Sequence, residues 1–316
     1  DSSSASLGVQ ASWEVDLWGR LRSGREGAVR SVEAAEADYR FSQYSIAAAV
    51  ASSYFLAIEA DRQRALTQSI VEALAETDRI TRVRFENGIG NAQDVALSGS
   101  NLADSRNDLI EIEGAQRNAL RALELLLGRY PGADLQVRTS RPAVPAPPPV
   151  GVPADILERR PDLIAAERRI AEAITGVNEA KAAKLPSLSL TGSLGGSSND
   201  LSNILNPSNL AWTAASSLLA PIIDGGALDA QVDLANTEVQ AAAANYASAA
   251  LDAFSDVESA LDQETVLRRR RVELEQSAAQ ANEALRLAQL RYNEGETDLI
   301  DVLNIQNRVL GAESSL

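Results

Sequence analysis

Apolar and polar residues alternate strictly near the start of the chain. Leu7, Val9, Ala11, Trp13, Val15 and Leu17 interleave with Ser6, Gly8, Gln10, Ser12, Glu14 and Asp16. Leu188, Leu190 and Leu194 interleave with Ser187, Ser189, Thr191 and Ser193, and Leu210, Trp212, Ala214, Leu218 and Ile222 form a weaker version. This period predicts strands with one apolar and one wet face. Each run is about 9 to 13 residues, the length a tilted strand needs to cross a bilayer. An ordinary antiparallel sheet with one solvated face gives the same pattern. Two features favour the membrane. The strands feed into helices too long for a sandwich, and Trp13, Trp18 and Trp212 sit at strand ends or within strands, as interface aromatics do.

The period then changes. From Trp18 to about Arg84 there is no proline, and Val50, Tyr54 and Ile58 step by four. The stretch from Gly226 to Leu290 behaves alike. About 65 residues at helical rise make a rod of roughly 100 Å, which suits a coiled coil or a tube. Breaks are expected at Glu86–Gly90 and at Asn293–Gly295, where glycine suits a positive-φ cap and lets the chain reverse. A further helix is predicted from about Ala92 to Gly128, with Leu120, Leu123 and Leu127 on one stripe.

The halves repeat each other. Shifted by about 207 residues, 19–109 runs onto 226–316 without a gap. Tyr39, Arg62, Arg64, Arg84, Gly88, Asp94 and Val95 recur as Tyr246, Arg269, Arg271, Arg291, Gly295, Asp301 and Val302. Alanine matches could be composition; these could not. The expected organisation is a strand at 1–17, a long helical hairpin at 18–128, a proline-rich connector at 129–160, a helix at 161–186, two strands at 187–223 and a second, incomplete hairpin at 224–316. Three strands cannot close a barrel, and lipid does not tolerate open edges, so the wall must be shared between subunits. Aligning the halves implies a helix and a strand missing in front and roughly twenty residues missing behind.

Composition narrows the chemistry. The 316 residues carry a formal net charge of -15, which argues against nucleic acid. There is no His, Cys or Met, which removes imidazole bases, thiols, disulfides and most zinc sites. Scarce aromatics and abundant alanine indicate thin, closely packed helices. No continuous apolar run is long enough for a membrane-spanning helix. No motif for an enzyme, a cofactor or a metal is found.

Several motifs now bear on ancestry. Arg159-Arg160-Pro161-Asp162 followed by Ala166-Glu167 resembles the "RRPD…AE" signature of the TolC/OprM-like outer-membrane factors. Pro186-Ser-Leu-Ser-Leu-Thr-Gly-Ser-Leu-Gly195 is similar to that family's entry into a strand. Pro221–Gly226 resembles its strand-to-helix turn, and Arg291-Tyr292 through Asp301-Val302-Leu303 its hairpin tip. The details are closest to the lipoprotein branch serving RND-type pumps. The resemblance implies a mixed fold, a membrane β-barrel plus a long α-helical barrel, built from internally duplicated protomers of a homotrimer, with this chain truncated at both ends. It implies a passive efflux duct in the outer membrane of a Gram-negative bacterium, its helical barrel in the periplasm. The implied partners are outer-membrane lipid, a periplasmic adaptor (membrane-fusion) protein and an inner-membrane RND-type transporter, with no cofactor and no nucleic acid.

Candidate functional residues follow from the resemblance. Asp301 and Tyr292 are expected at a periplasmic gate, with Asn304 where the family often has a second acid. Asp94 and Asp301 also read as ordinary helix-start carboxylates behind Asn91 and Asp298 as N-caps. The tips, Asn87, Gly88 and Asn91 with Glu294 and Gly295, are expected to dock the adaptor, although turn chemistry alone explains their glycines. Arg268–Arg271 reads as a solvated helix face. Two rival functions stay open: a type I protein-secretion duct on the same fold, and a soluble structural coiled-coil protein.

Overall fold

The computed structural model describes residues 5–137 and 159–316. The proline-rich stretch 142–149 and most of the expected connector lie outside those residues. The described elements run β1 (Ala5–Val15), α1 (Arg20–Glu86), α2 (Ala92–Leu126), α3 (Pro161–Ala183), β2 (Ser187–Ser198), a 3-10 turn (Leu201–Asn203), β3 (Leu210–Leu219), α4 (Ala227–Glu294) and α5 (Leu299–Ser314). Helices α1 and α4 have 67 and 68 residues. The chain forms two compact units that cut across the sequence repeat. One is Asp1–Ser42 with Gly151–Ser255, the other Gln43–Val150 with Asp256–Leu316. Each long helix contributes to both.

In the first unit the strands make one antiparallel sheet in the order β1-β2-β3. The register sets Val9 against Leu194, Trp13 against Leu190 and Val15 against Leu188, and Leu194 in turn against Trp212 and Leu188 against Leu218. Side chains alternate across a pleat, so these residues share one face. The other face carries Ser6, Gln10, Ser12 and Glu14, then Ser189, Thr191 and Ser193, then Thr213. The Ser193 and Thr213 hydroxyls hydrogen-bond across it at 2.7 Å. At one end of the sheet the β2–β3 turn lies so close that a Cβ on Gly196 would sit 2.0 Å from the Ile204 carbonyl oxygen.

Helix α3 starts at Pro161, whose missing N–H costs nothing in a first turn. The Arg160 guanidinium clasps Asp162 with bonds of 3.1 and 2.8 Å. Burial pushes the Asp162 carboxyl up, but the Arg160 bonds and charge outweigh it and its pKa is lowered. Thus the arginine-proline-aspartate motif builds a helix start. Ion pairs then tie the helices of this unit together: Arg168 with Glu33, Arg169 with Asp38, and Lys184 with Asp229. Buried alanines, Ala34, Ala37, Ala235 and Ala253, occupy inward positions of the long helices.

The second unit has two apolar clusters. Ala57, Leu120 and Leu123 pack together with Val50, Tyr54 and Leu135. Val71, Leu74 and Leu102 pack with Leu299 and Leu303, joining the first repeat's hairpin to α5 of the second. Just before α2 ends, Glu124 is 3% exposed and accepts the N–H groups of Ala133, Asp134 and Leu135 at 2.8, 2.9 and 2.9 Å. A carboxylate near a helix C-terminus is opposed by the dipole. Burial also raises its pKa, yet the three donors prevail and hold it low.

One expectation needs correcting. One stretch of helix α1 is apolar enough, by length and composition, to cross a membrane, and little of it is buried. The Ala-rich stretch Ile46–Ile58 turns Ala57 and Ile58 inward and leaves Phe55 and Leu56 exposed.

Candidate functional site: the hairpin tips

Both long helices end in the same way. Gly88 at φ 78 and Gly295 at φ 79 lie in the left-handed region that glycine tolerates best. The Ile89 N–H donates to the Arg84 carbonyl at 3.0 Å and the Gly88 N–H to Phe85 at 2.9 Å. One repeat later, the Glu296 N–H donates to Arg291 at 2.9 Å and the Gly295 N–H to Tyr292 at 3.1 Å. This crossed pair is the Schellman cap, made twice by the duplicated sequence. Asn87, Gly88, Asn91, Glu294 and Gly295 are all exposed.

The tips then diverge. Asn91 caps α2 through its side chain, which accepts the Asp94 N–H at 2.8 Å. Asp298 holds the N-cap position of α5 without any side-chain capping bond. Asn91 and Asp298 thus both take the expected N-cap position, and only Asn91 makes a side-chain capping bond. At the second tip, Thr297 Oγ1 donates to Asp301 Oδ2 at 2.6 Å. The residue equivalent to Thr297 is Gly90, which has no hydroxyl to give. Asp301 and Asn304 are both exposed, one turn apart on α5, opposite a buried face of Leu299, Val302, Leu303, Gln306 and Val309.

Tyr292 joins the two hairpins. The Arg84 guanidinium carbon lies 4.7 Å from the centre of its ring, and Arg84 Nη1 donates to its backbone carbonyl at 3.4 Å. The ring also packs on the cluster formed by Val71, Leu74, Leu102, Leu299 and Leu303. Phe85 holds the equivalent position in the first repeat and has a ring but no hydroxyl; the contacts that Tyr292 makes among the described residues are those of the ring and the main chain. A guanidinium over an aromatic face contributes about 0.5–1 kcal/mol at an exposed site.

A few turns along the first hairpin lies a buried polar lock. Ser98, 1% exposed, donates its hydroxyl to Asp78 Oδ1 at 2.8 Å, and Arg82 Nε donates to Asp78 Oδ2 at 2.8 Å. The bond from Arg82, and then that from Ser98, hold the Asp78 carboxyl below its ordinary range against the effect of burial. Sequence reasoning singled out none of Arg84, Thr297, Ser98 or Asp78 as functional. Arg84 and Tyr292 are far apart in the chain, and nothing local marks them as partners. The Asp78–Arg82 spacing of four on a helix was the one available signal.

The tryptophans lie on the first unit. Trp13 and Trp212 stand out from the apolar face, 63% and 76% exposed. Trp18 follows β1, and its indole N–H donates to the Pro186 carbonyl at 2.8 Å, just before β2 begins. Arg268 pairs with Glu264 and Arg271 with Glu275 along one exposed stretch of α4. No cluster of acidic side chains suited to a metal ion occurs among the described residues.

Comparison with known proteins adds the family context. The sequence profile described as "Outer membrane efflux protein" matches residues 1–129 and 152–316. The pyoverdine export outer membrane protein OpmQ of Pseudomonas putida is 31% identical over 314 residues, covering 99% of this chain and 66% of its own length. The outer membrane protein OprJ of Pseudomonas aeruginosa is 31% identical over 296 residues, with coverage of 93% and 62%. This chain thus spans less than two thirds of these relatives. Among solved structures, a membrane protein from Pseudomonas aeruginosa superposes with a TM-score of 0.91 at 28% identity, covering 99% of this chain and 78% of the other.

Proposed function

We propose, since the chain belongs to the outer membrane efflux protein family, that it is one subunit of a passive export duct for small molecules. The observation that carries this reading is the sheet. One face bears Val9, Trp13, Leu194, Trp212 and Leu218, all exposed, and the other bears mainly hydroxyls, with Gln10 and Glu14. A soluble protein covers such an apolar face; a barrel turns it to lipid and its polar side to a wet lumen. The interval from Trp18, level with Pro186, to Trp212, level with Leu194, is about 26 Å at ~3.3 Å per residue. That is close to the ~25 Å apolar band of an outer-membrane barrel.

In this reading three copies share the wall, since β1 and β3 leave open edges. Exposed Tyr39, Leu234 and Leu251 on the long helices, 65%, 61% and 70% accessible, support contact with further copies. An RND-type transporter and its periplasmic adaptor deliver the cargo. The adaptor meets the tips at Asn87, Gly88, Asn91, Glu294 and Gly295. Tyr292, Asp301 and Asn304 form the gate, with Asp301 held in orientation by Thr297.

The test is antibiotic leakage in cells that depend on the full-length protein for export. Tyr292→Leu combined with Asp301→Ala is expected to raise entry of a large antibiotic while export persists. Tyr292→Phe keeps the ring that faces Arg84 and is expected to change little. Export and leakage both unchanged in the Leu/Ala variant would refute the gate; no export from the unmodified protein would refute the duct.

A further inference from the structure

The two hairpins differ at the positions that lock the first. In α2, a Cβ on Gly99 would lie 3.3 Å from Arg82 Nη2, so glycine leaves room for the Arg82–Asp78–Ser98 group. At the repeat offset, Asp78, Arg82, Ser98 and Gly99 become Leu285, Gln289, Ile305 and Gln306. The acid, its arginine and its serine are all gone. In their place α5 turns an amide inward.

Gln306 is 7% exposed and is the one polar residue on the buried face of α5. Neighbours on that face, Leu299 and Leu303, pack on Val71 and Leu74 of α1 and Leu102 of α2. Its Oε1 is buried and accepts no hydrogen bond among the described residues. A buried acceptor with no donor carries its full desolvation cost, whereas water would satisfy it if α5 left the groove. The apolar contacts of α5 favour docking, and Gln306 opposes them.

We propose that Gln306 weakens the docking of α5 against α1 and α2 and so biases the second hairpin toward release. The inference rests on the reading of Tyr292 and Asp301 as the gate. It requires that Gln306 act on the balance between two states, in a direction set by polarity.

The experiment is the ratio of open to closed time in single-channel records of the full-length protein, compared with Gln306→Met and Gln306→Glu. Methionine has nearly the same length and needs no donor, so docking strengthens and the ratio should fall about tenfold, the equivalent of ~1.4 kcal/mol. Glutamate adds charge to the buried position and should raise the ratio by at least as much. If bound water satisfies the amide, or its role is only to fill space, the Met variant opens as often as the unmodified protein or more often, and the proposal is overturned. Should the Met variant not assemble, a Glu variant that opens no more often than the unmodified protein overturns it equally. Current from the unmodified channel that neither substitution changes defeats this inference alone; no current from any version removes the duct and the inference with it.

Discussion

Ser98→Ala isolates one bond of the lock in the first hairpin. The substitution keeps Cβ, removes only the hydroxyl, and leaves Asp78 with Arg82 as its remaining side-chain partner. Ser98 is 1% exposed and Asp78 8%, so water cannot readily replace the donor. A hydrogen bond to a charged acceptor contributes about 1.5–3 kcal/mol, and that is the expected loss. Arg82 is 53% exposed, so solvent screens its pairing with Asp78 and that pairing adds much less. Hydrogen exchange in peptides covering 78–105 should therefore accelerate about 10- to 150-fold in Ser98→Ala if the region opens locally. Arg82→Ala should accelerate it by less than tenfold. The dependence on pH has a definite sign. The folded pKa of Asp78 is lowered, so its contribution is complete above the unfolded carboxylate value and is lost as pH falls through the folded one. The Ser98→Ala effect should shrink over that same descent. Acceleration below threefold at neutral pH, or an undiminished effect when Asp78 is already Asn, would refute the reasoning.

Gly295→Ala places a side chain at φ 79 with open space around it, so only backbone strain is added, about 1 kcal/mol. Faster exchange at Tyr292–Asp298 should follow without loss of assembly, and unchanged exchange would argue against the cap. Gly196→Ala forces a Cβ to within 2.0 Å of the Ile204 carbonyl unless the β2–β3 turn moves. A protease that cuts near Asn206 should then act several times faster on intact protein. Glu124→Gln removes the charge that three backbone donors stabilise, so limited proteolysis after Gly128 should increase at neutral pH. Since the Glu124 pKa is lowered on folding, acid should bring the unmodified protein toward the variant.

Much of the fold was legible because its periods are long and its punctuation is strong. Strict alternation in 6–17 gives β1, and the glycine of each tip falls where the cap requires it. The ungapped repeat carried the Schellman cap from one tip to the other. What stayed hidden depends on residues distant in the chain. Glu124 looks misplaced at a helix end until the chain returns with the N–H groups of 133–135. Arg84 and Tyr292 meet only because the hairpins pack side by side. The repeat suggested two equal halves, but compactness follows contacts between the copies, so each unit draws on both. The site was visible as turns and carboxylates, and invisible as the Thr297 and Asp78 bonds that differentiate the tips.

The central claim is that this chain lines a gated duct, and single-channel current in a planar bilayer tests it most directly. The full-length protein should give discrete conductance steps, rare when unmodified and frequent when Tyr292→Leu and Asp301→Ala are combined. A folded, detergent-stable assembly that passes no current in either form would contradict the account.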